Sequence, residues 1–183
     1  MAKMEKAMDI DPGQLKDKLD YGELTQALHK VCQDNSSLSG MSHQILREIL
    51  CEPELDVIPR YLTRKSAPAG SFLWHEGDRD NSLALIVSGQ VSLMKETEFK
   101  NKRIVVGIYN PITIVGEISF IDGHSRALTA KALADTEMFL LSRENFEKMG
   151  KEYPHLGRKT VRGLLYLFST RQRTLLERMS SIL

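Results

Sequence analysis

The chain has 183 residues, 42% of them hydrophobic, which is enough to enclose one sizeable core but leaves little room for a second large domain. With 25 Lys and Arg against 24 Asp and Glu, the formal charge of +1 gives no global field toward nucleic acid, an anionic membrane or an acidic partner, so any binding must be local. The two cysteines, Cys32 and Cys51, match neither a disulfide scaffold nor paired zinc ligands, the start MAKMEKAMDIDPGQ has no apolar leader, and no apolar run is long enough to span a bilayer. These features predict a cytoplasmic protein.

Residues 14–33, QLKDKLDYGELTQALHKVCQ, space Leu15, Leu19, Leu24, Leu28 and Val31 as one face of an amphipathic helix that Gly22 weakens. The turn-rich segment DNSSLSG follows, and a second helical stretch carries Ile45, Leu46, Ile49 and Leu50 before Pro53. Residues 1–66 are thus expected to form an N-terminal helical segment. From Ala67 to about Leu141 the pattern changes to short apolar runs separated by turn residues at Pro68-Ala69-Gly70, Glu76-Gly77-Asp78, Ser88-Gly89, Asn110-Pro111 and Asp122-Gly123. This is the pattern of a small antiparallel barrel or sandwich. The run LALIVSGQVSLM, residues 83–94, reads as two strands joined by a tight turn at Ser88 and Gly89.

After Ser142 the helical period returns, first in RENFEKM and then beyond Tyr153-Pro154, where proline suits a first helical turn. The expected order is an α+β chain: N-terminal helices, an antiparallel β-barrel over 67–152, and a long C-terminal helix over 153–183. In that helix Val161, Leu165, Phe168, Gln172, Leu175, Met179 and Ile182 recur at alternating steps of four and three. Such spacing predicts the seam of a two-stranded coil and hence a homodimer, with Gln172 setting register; packing of the same stripe on the barrel is the alternative.

The chemistry concentrates in residues 116–130, GEISFIDGHSRALTA, where an arginine stands nine residues after a carboxylate. A helical turn opened by Gly116 and Glu117 would point its first N–H groups outward as an anion site, and Asp122-Gly123 would bring Arg126 back over them. One phosphate would then meet both the backbone and a guanidinium fork. Glu117 repels an anion but accepts a hydrogen bond from an adjoining sugar hydroxyl. The plainer alternatives are an exposed Arg126 paired to Asp122 or Glu117, and a Glu117 that only stabilises the helix dipole, worth ~0.3–1 kcal/mol.

These residues resemble the cyclic-nucleotide-binding domain family, of the catabolite activator protein and protein kinase A regulatory subunit type, over about residues 67–183. GSFLWHEGDRDNSLALIVSGQVSLMK looks like the family's first strands, and GEISFIDGHSRALTAKA looks like its phosphate-binding cassette. The resemblance implies a jelly-roll fold, a ribose contact from Glu117 and a phosphate contact from Arg126. It also implies phosphate contacts from the N–H groups of Ser119 and Ala127, with Gly116 and Ile118 shaping the wall. Ser125 stands where kinase-type members often carry proline. Arg171 and Gln172 lie at the helix depth where polar residues meet the purine in the resembling regulators. Ala127 favours cAMP as ligand, with cGMP as the other candidate. Ile112, Ser119 and Leu128 depart from the family pattern, and Leu128 is placed to narrow the pocket.

The basic residues Arg158, Lys159, Arg162, Arg171, Arg173 and Arg178 are read as a solvated helix flank, since no recognition-helix pattern follows them. The chain stops at Leu183, leaving no residues for the helix-turn-helix domain that follows this helix in the family's gene regulators, so no direct DNA binding is expected. His75, His124 and His155 sit at no zinc spacing and beside no nucleophile, Trp74 reads as barrel packing, and neither a metal site nor an enzyme is expected. The expected function is a cyclic-nucleotide sensor, for cAMP, that signals to an unidentified protein partner. Its rival is a dimeric interaction module whose barrel no longer binds nucleotide.

Overall fold

The computed structural model describes residues 57–99 and 102–180; the expected helices over 14–33 and 45–50, both cysteines and Ile182 lie outside the described residues. A 3-10 turn (Ile58–Tyr61) leads into β1 (Leu62–Ala67), β2 (Phe72–Trp74), β3 (Leu83–Ser88), β4 (Val91–Glu96), β5 (Arg103–Tyr109) and β6 (Thr113–Val115). There follow a short helix α1 (Glu117–Asp122), β7 (Thr129–Ala132), β8 (Thr136–Leu141), α2 (Arg143–Glu152) and α3 (Pro154–Ser180). The strands make two antiparallel four-stranded sheets, β1-β8-β3-β6 and β2-β7-β4-β5, in the jelly-roll manner.

Two details differ from the sequence reading. The turn at Ser88 and Gly89 does connect two strands, but not as a hairpin: β3 pairs with β6 and β8, while β4 pairs with β5 and β7. Both flanks of each strand are taken, so the turn carries the chain from one sheet to the other. The first strand also begins at Leu62 rather than Ala67, paired with β8 along its length. Its sequence LTRKSA is buried only at its two ends, so no alternation marks it as a strand.

The central strand β3 is buried on both faces, which is why LALI reads as a continuous apolar run. Leu83 and Leu85 join Ile114, Phe139 and Leu141 under the helices, against Met149, Leu156, Leu164 and Leu167. Ala84 and Ile86 point the other way, into the space between the sheets, with Val91, Leu93, Val115, Ala130 and Met138. Each buried aliphatic side chain of this kind contributes about 1.5–3 kcal/mol relative to exposure.

Ser142 caps α2 by accepting from the Asn145 N–H at 3.1 Å. Along α3 the buried residues are Leu156, Gly157, Thr160, Gly163, Leu164 and Leu167. Val161, Leu165, Phe168, Leu175 and Met179 are exposed. The residues of the heptad stripe are thus not the ones buried against the barrel, although Phe168, Gln172 and Leu175 border a cleft beside β5. No described helix is long and apolar enough to cross a membrane.

Candidate ligand site

Gly116 ends β6 with a φ of +84°, a left-handed conformation that starts α1 sharply. A β-carbon there would lie 2.5 Å from Arg126 Nη1, so the glycine also makes room for the guanidinium. After α1, Gly123 closes the turn by donating to Ser119 O at 3.0 Å. The returning chain is then pinned at Arg126, whose N–H donates to Asp78 O at 2.9 Å and whose carbonyl accepts from the Gly77 N–H at 2.8 Å. The cassette and the β2–β3 loop thus lock together around one residue.

The Arg126 side chain is buried, at 1% exposure, and does not pair with Asp122 or Glu117. Its Nη2 donates to Asp80 Oδ2 at 2.9 Å and Ser82 Oγ at 3.0 Å, and its Nη1 to Ser119 Oγ at 2.9 Å and Gly116 O at 3.3 Å. The guanidinium also lies 3.9 Å from the centroid of the Trp74 ring, a close cation–π contact. Asp122 instead faces His124, 3.5 Å away. Burial pulls the Arg126 pKa down, against the opposing charges of Asp80, Asp78 and Glu117. Partial burial pushes the Asp80 carboxyl up, but the Ser82 N–H and the Arg126 charge outweigh it and hold it below its ordinary value.

Glu117 is buried at the start of α1 and is met by Arg171 from α3, with Nη1 2.6 Å from Oε1. The contact is an ion pair outside hydrogen-bond geometry, and Nη1 has no other acceptor. Arg171 Nη2 donates to Ile114 O at 2.7 Å, and its guanidinium stacks 4.7 Å from the Tyr109 ring centroid. The Tyr109 ring lies across Gly107, where an added β-carbon would come within 2.9 Å of it. Glycine, ring and guanidinium form three layers that fix Arg171 against the cassette.

These groups line two adjoining chambers that share Leu93, Glu117, Ile118 and Leu128. The smaller, about 30 Å³, is bounded by Trp74, Gly116, Ser119, Arg126 and Ala127. The larger, about 310 Å³, opens between β5 and α3 and is walled by Tyr109, Phe168, Arg171, Gln172 and Leu175 among others. The structure thereby gathers Gly116, Glu117, Ile118, Ser119, Arg126, Ala127, Arg171 and Gln172 around one cleft. Ser125 is exposed and lines neither chamber. Ile112 packs against the helix-side core rather than the cleft.

Asp80, Ser82 and Tyr109 were not legible as site residues. Asp80 sits in a charged loop, DRDNS, where only the fold reveals which carboxylate faces inward. Trp74 does pack in the inter-sheet core as expected, and one face of its ring also floors the arginine. Among the described residues no cluster of three His, Cys, Asp or Glu side chains stands at metal-binding distance.

The family model for the cyclic nucleotide-binding domain matches residues 64–153, which run from β1 to the end of α2 and enclose the whole cassette. This chain carries a domain of the cyclic nucleotide-binding family. The Cyclic AMP receptor protein of Thermus thermophilus is 30% identical over 105 residues, covering 57% of this chain and 48% of the receptor. The chain thus spans about half the length of that relative. Among solved structures, a cyclic nucleotide-binding domain from Methylobacillus flagellatus superposes with a TM-score of 0.70 at 24% identity, covering 88% of this chain and 85% of that one. The Thermus thermophilus catabolite activator protein does so with a TM-score of 0.64 at 25% identity, covering 74% and 62%. The cyclic nucleotide-binding fold, with its two antiparallel sheets and long C-terminal helix, is therefore the fold of this chain.

Proposed function

We propose that this protein is a cytoplasmic sensor that binds a cyclic nucleotide, cAMP, in the cleft and passes its presence to a protein partner through α3, without catalysis of its own. The observation that carries this reading is the buried Arg126 Nε donor left without an acceptor, beside an Arg171 held to Glu117 by charge alone. Arg126 Nε and Arg171 Nη1 are the buried side-chain polar atoms without a hydrogen-bond acceptor among the described residues, and their side chains line the two adjoining chambers. A buried, charged donor without an acceptor costs about 1–3 kcal/mol or more. A ligand with one anionic group and one hydroxyl-bearing ring suits this lining: a phosphate oxygen for Arg126 Nε, a ribose hydroxyl for Glu117, and the base in the larger chamber near Gln172.

Signalling follows from the position of Arg171. It belongs to α3, while its partners Glu117 and Ile114 belong to the cassette and β6, so ligand contacts at Glu117 change how tightly α3 is held. The degenerate-pocket rival finds no observation in its favour: Leu128 forms a wall of both chambers without filling them.

Calorimetric titration with cAMP, cGMP and 2'-deoxy-cAMP tests the reading. We expect saturable binding of cAMP and a loss of about 1–3 kcal/mol for the deoxy analogue, the value of an acceptor at Glu117 left without its hydroxyl. Equal affinities would remove Glu117 from the site, and no heat with any of the three would overturn the proposal.

A further inference from the structure

A guanidinium has five N–H bonds, and the protein itself engages four of those on Arg126. Asp80 and Ser82 accept from Nη2, and Ser119 and Gly116 from Nη1, leaving only Nε without an acceptor. Of the four acceptors Asp80 alone carries a charge. The remaining three are neutral, and two of them, Gly116 and Ser119, line the smaller chamber.

The two members of the ion pair are unequally placed. The Arg126 side chain is 1% exposed and that of Asp80 48%. Asp80 stands on the loop between β2 and β3, its Oδ1 accepting from the Ser82 N–H at 2.9 Å. Released from Arg126, its carboxylate would return to water at small cost, whereas the buried cation would need another anion at once. An incoming phosphate supplies one, and two anions held on one guanidinium repel each other.

We propose that Asp80 is the internal counter-ion of Arg126 in the empty site and competes with the anionic group of the ligand for it, so that Asp80 sets the affinity of the cleft. The inference rests on the reading that Arg126 receives the phosphate of a cyclic nucleotide. Its signature is a pair of opposite effects. Neutralising Asp80 strips a buried cation of its counter-ion and lowers the stability of the empty protein, yet it removes the competitor and raises ligand affinity. An Asp80 that only positioned Arg126 would lower both.

The test compares wild type with Asp80→Asn, which preserves the acceptor for the Ser82 N–H, and with Asp80→Ser in case the amide perturbs the loop. Melting temperatures without ligand should fall by several degrees, about 2–8 °C for a chain of this size. Calorimetry with cAMP should show affinity raised about five- to fiftyfold, within the range of typical coupling between two sites. Affinity unchanged or weakened in folded variants, with wild type binding cAMP, overturns the role of Asp80 and leaves the Arg126 reading standing. If wild type binds no cyclic nucleotide, that reading falls and the inference falls with it.

Discussion

Arg126 reaches its place through glycine and backbone rather than through a matching carboxylate nearby in sequence. Gly116 vacates the volume that Nη1 fills, and the paired backbone bonds between Arg126, Gly77 and Asp78 aim the side chain inward. Once buried, the cation needs a counter-ion, and Asp80 supplies it from 46 residues upstream. The pH dependence follows from the direction of its shift. Because the folded Asp80 carboxyl titrates below its ordinary value of 3.8, the stability it contributes is complete above that value and is lost as pH falls through the lower folded one. Acid unfolding of wild type should therefore steepen below about pH 4, and Asp80→Asn should lack that component. Identical acid slopes would contradict the pairing.

At the scale of elements, the barrel was readable because β3, β4 and the cassette advertise themselves by apolar runs and fixed turn residues. Among the described residues, the change from strands to helices after Ser142, the cassette turn at α1 and the start of α3 at Pro154 all follow from such local signals. What the residues did not disclose was pairing. β1, LTRKSA, is a strand because β8 lies beside it, and the turn after β3 changes sheets because both strand flanks are already occupied. The same limit hid Asp80 and Tyr109, whose roles depend on contacts across 46 and 62 residues of chain. Tyr109, Gly107 and Arg171 together latch α3 to the cassette. Arg171→Leu removes the ion pair to Glu117, the bond to Ile114 O and the stack on Tyr109 at once. Hydrogen exchange should then rise by about tenfold or more over residues 170–178 while the amides near Leu164 stay protected, since local opening of a helix end costs little without its anchors. Unchanged protection over 170–178 would mean that the latch does not hold the helix.

For the whole molecule, α3 presents two faces with two jobs. Leu156, Leu164 and Leu167 anchor it to the barrel, while Val161, Leu165, Phe168, Leu175 and Met179 stay exposed at heptad spacing. We propose that this stripe is the seam of the homodimer expected from the sequence, which would place Gln172 in the seam as well as on the wall of the larger chamber. Sedimentation of wild type should give a dimer and of Leu165→Glu a monomer, because a carboxylate in the seam would be buried without a partner. A monomeric wild type would refute it. The central claim, that a nucleotide phosphate lands on Arg126, has a built-in reporter: the single tryptophan of the chain is Trp74, whose ring lies 3.9 Å from that guanidinium. Titrating cAMP against Trp74 fluorescence should give a saturable change, shifted to weaker binding by about 2–5 kcal/mol in Arg126→Ala, as for the loss of one partner of a buried charge pair. A flat titration in wild type, or an identical curve in the variant, would contradict it.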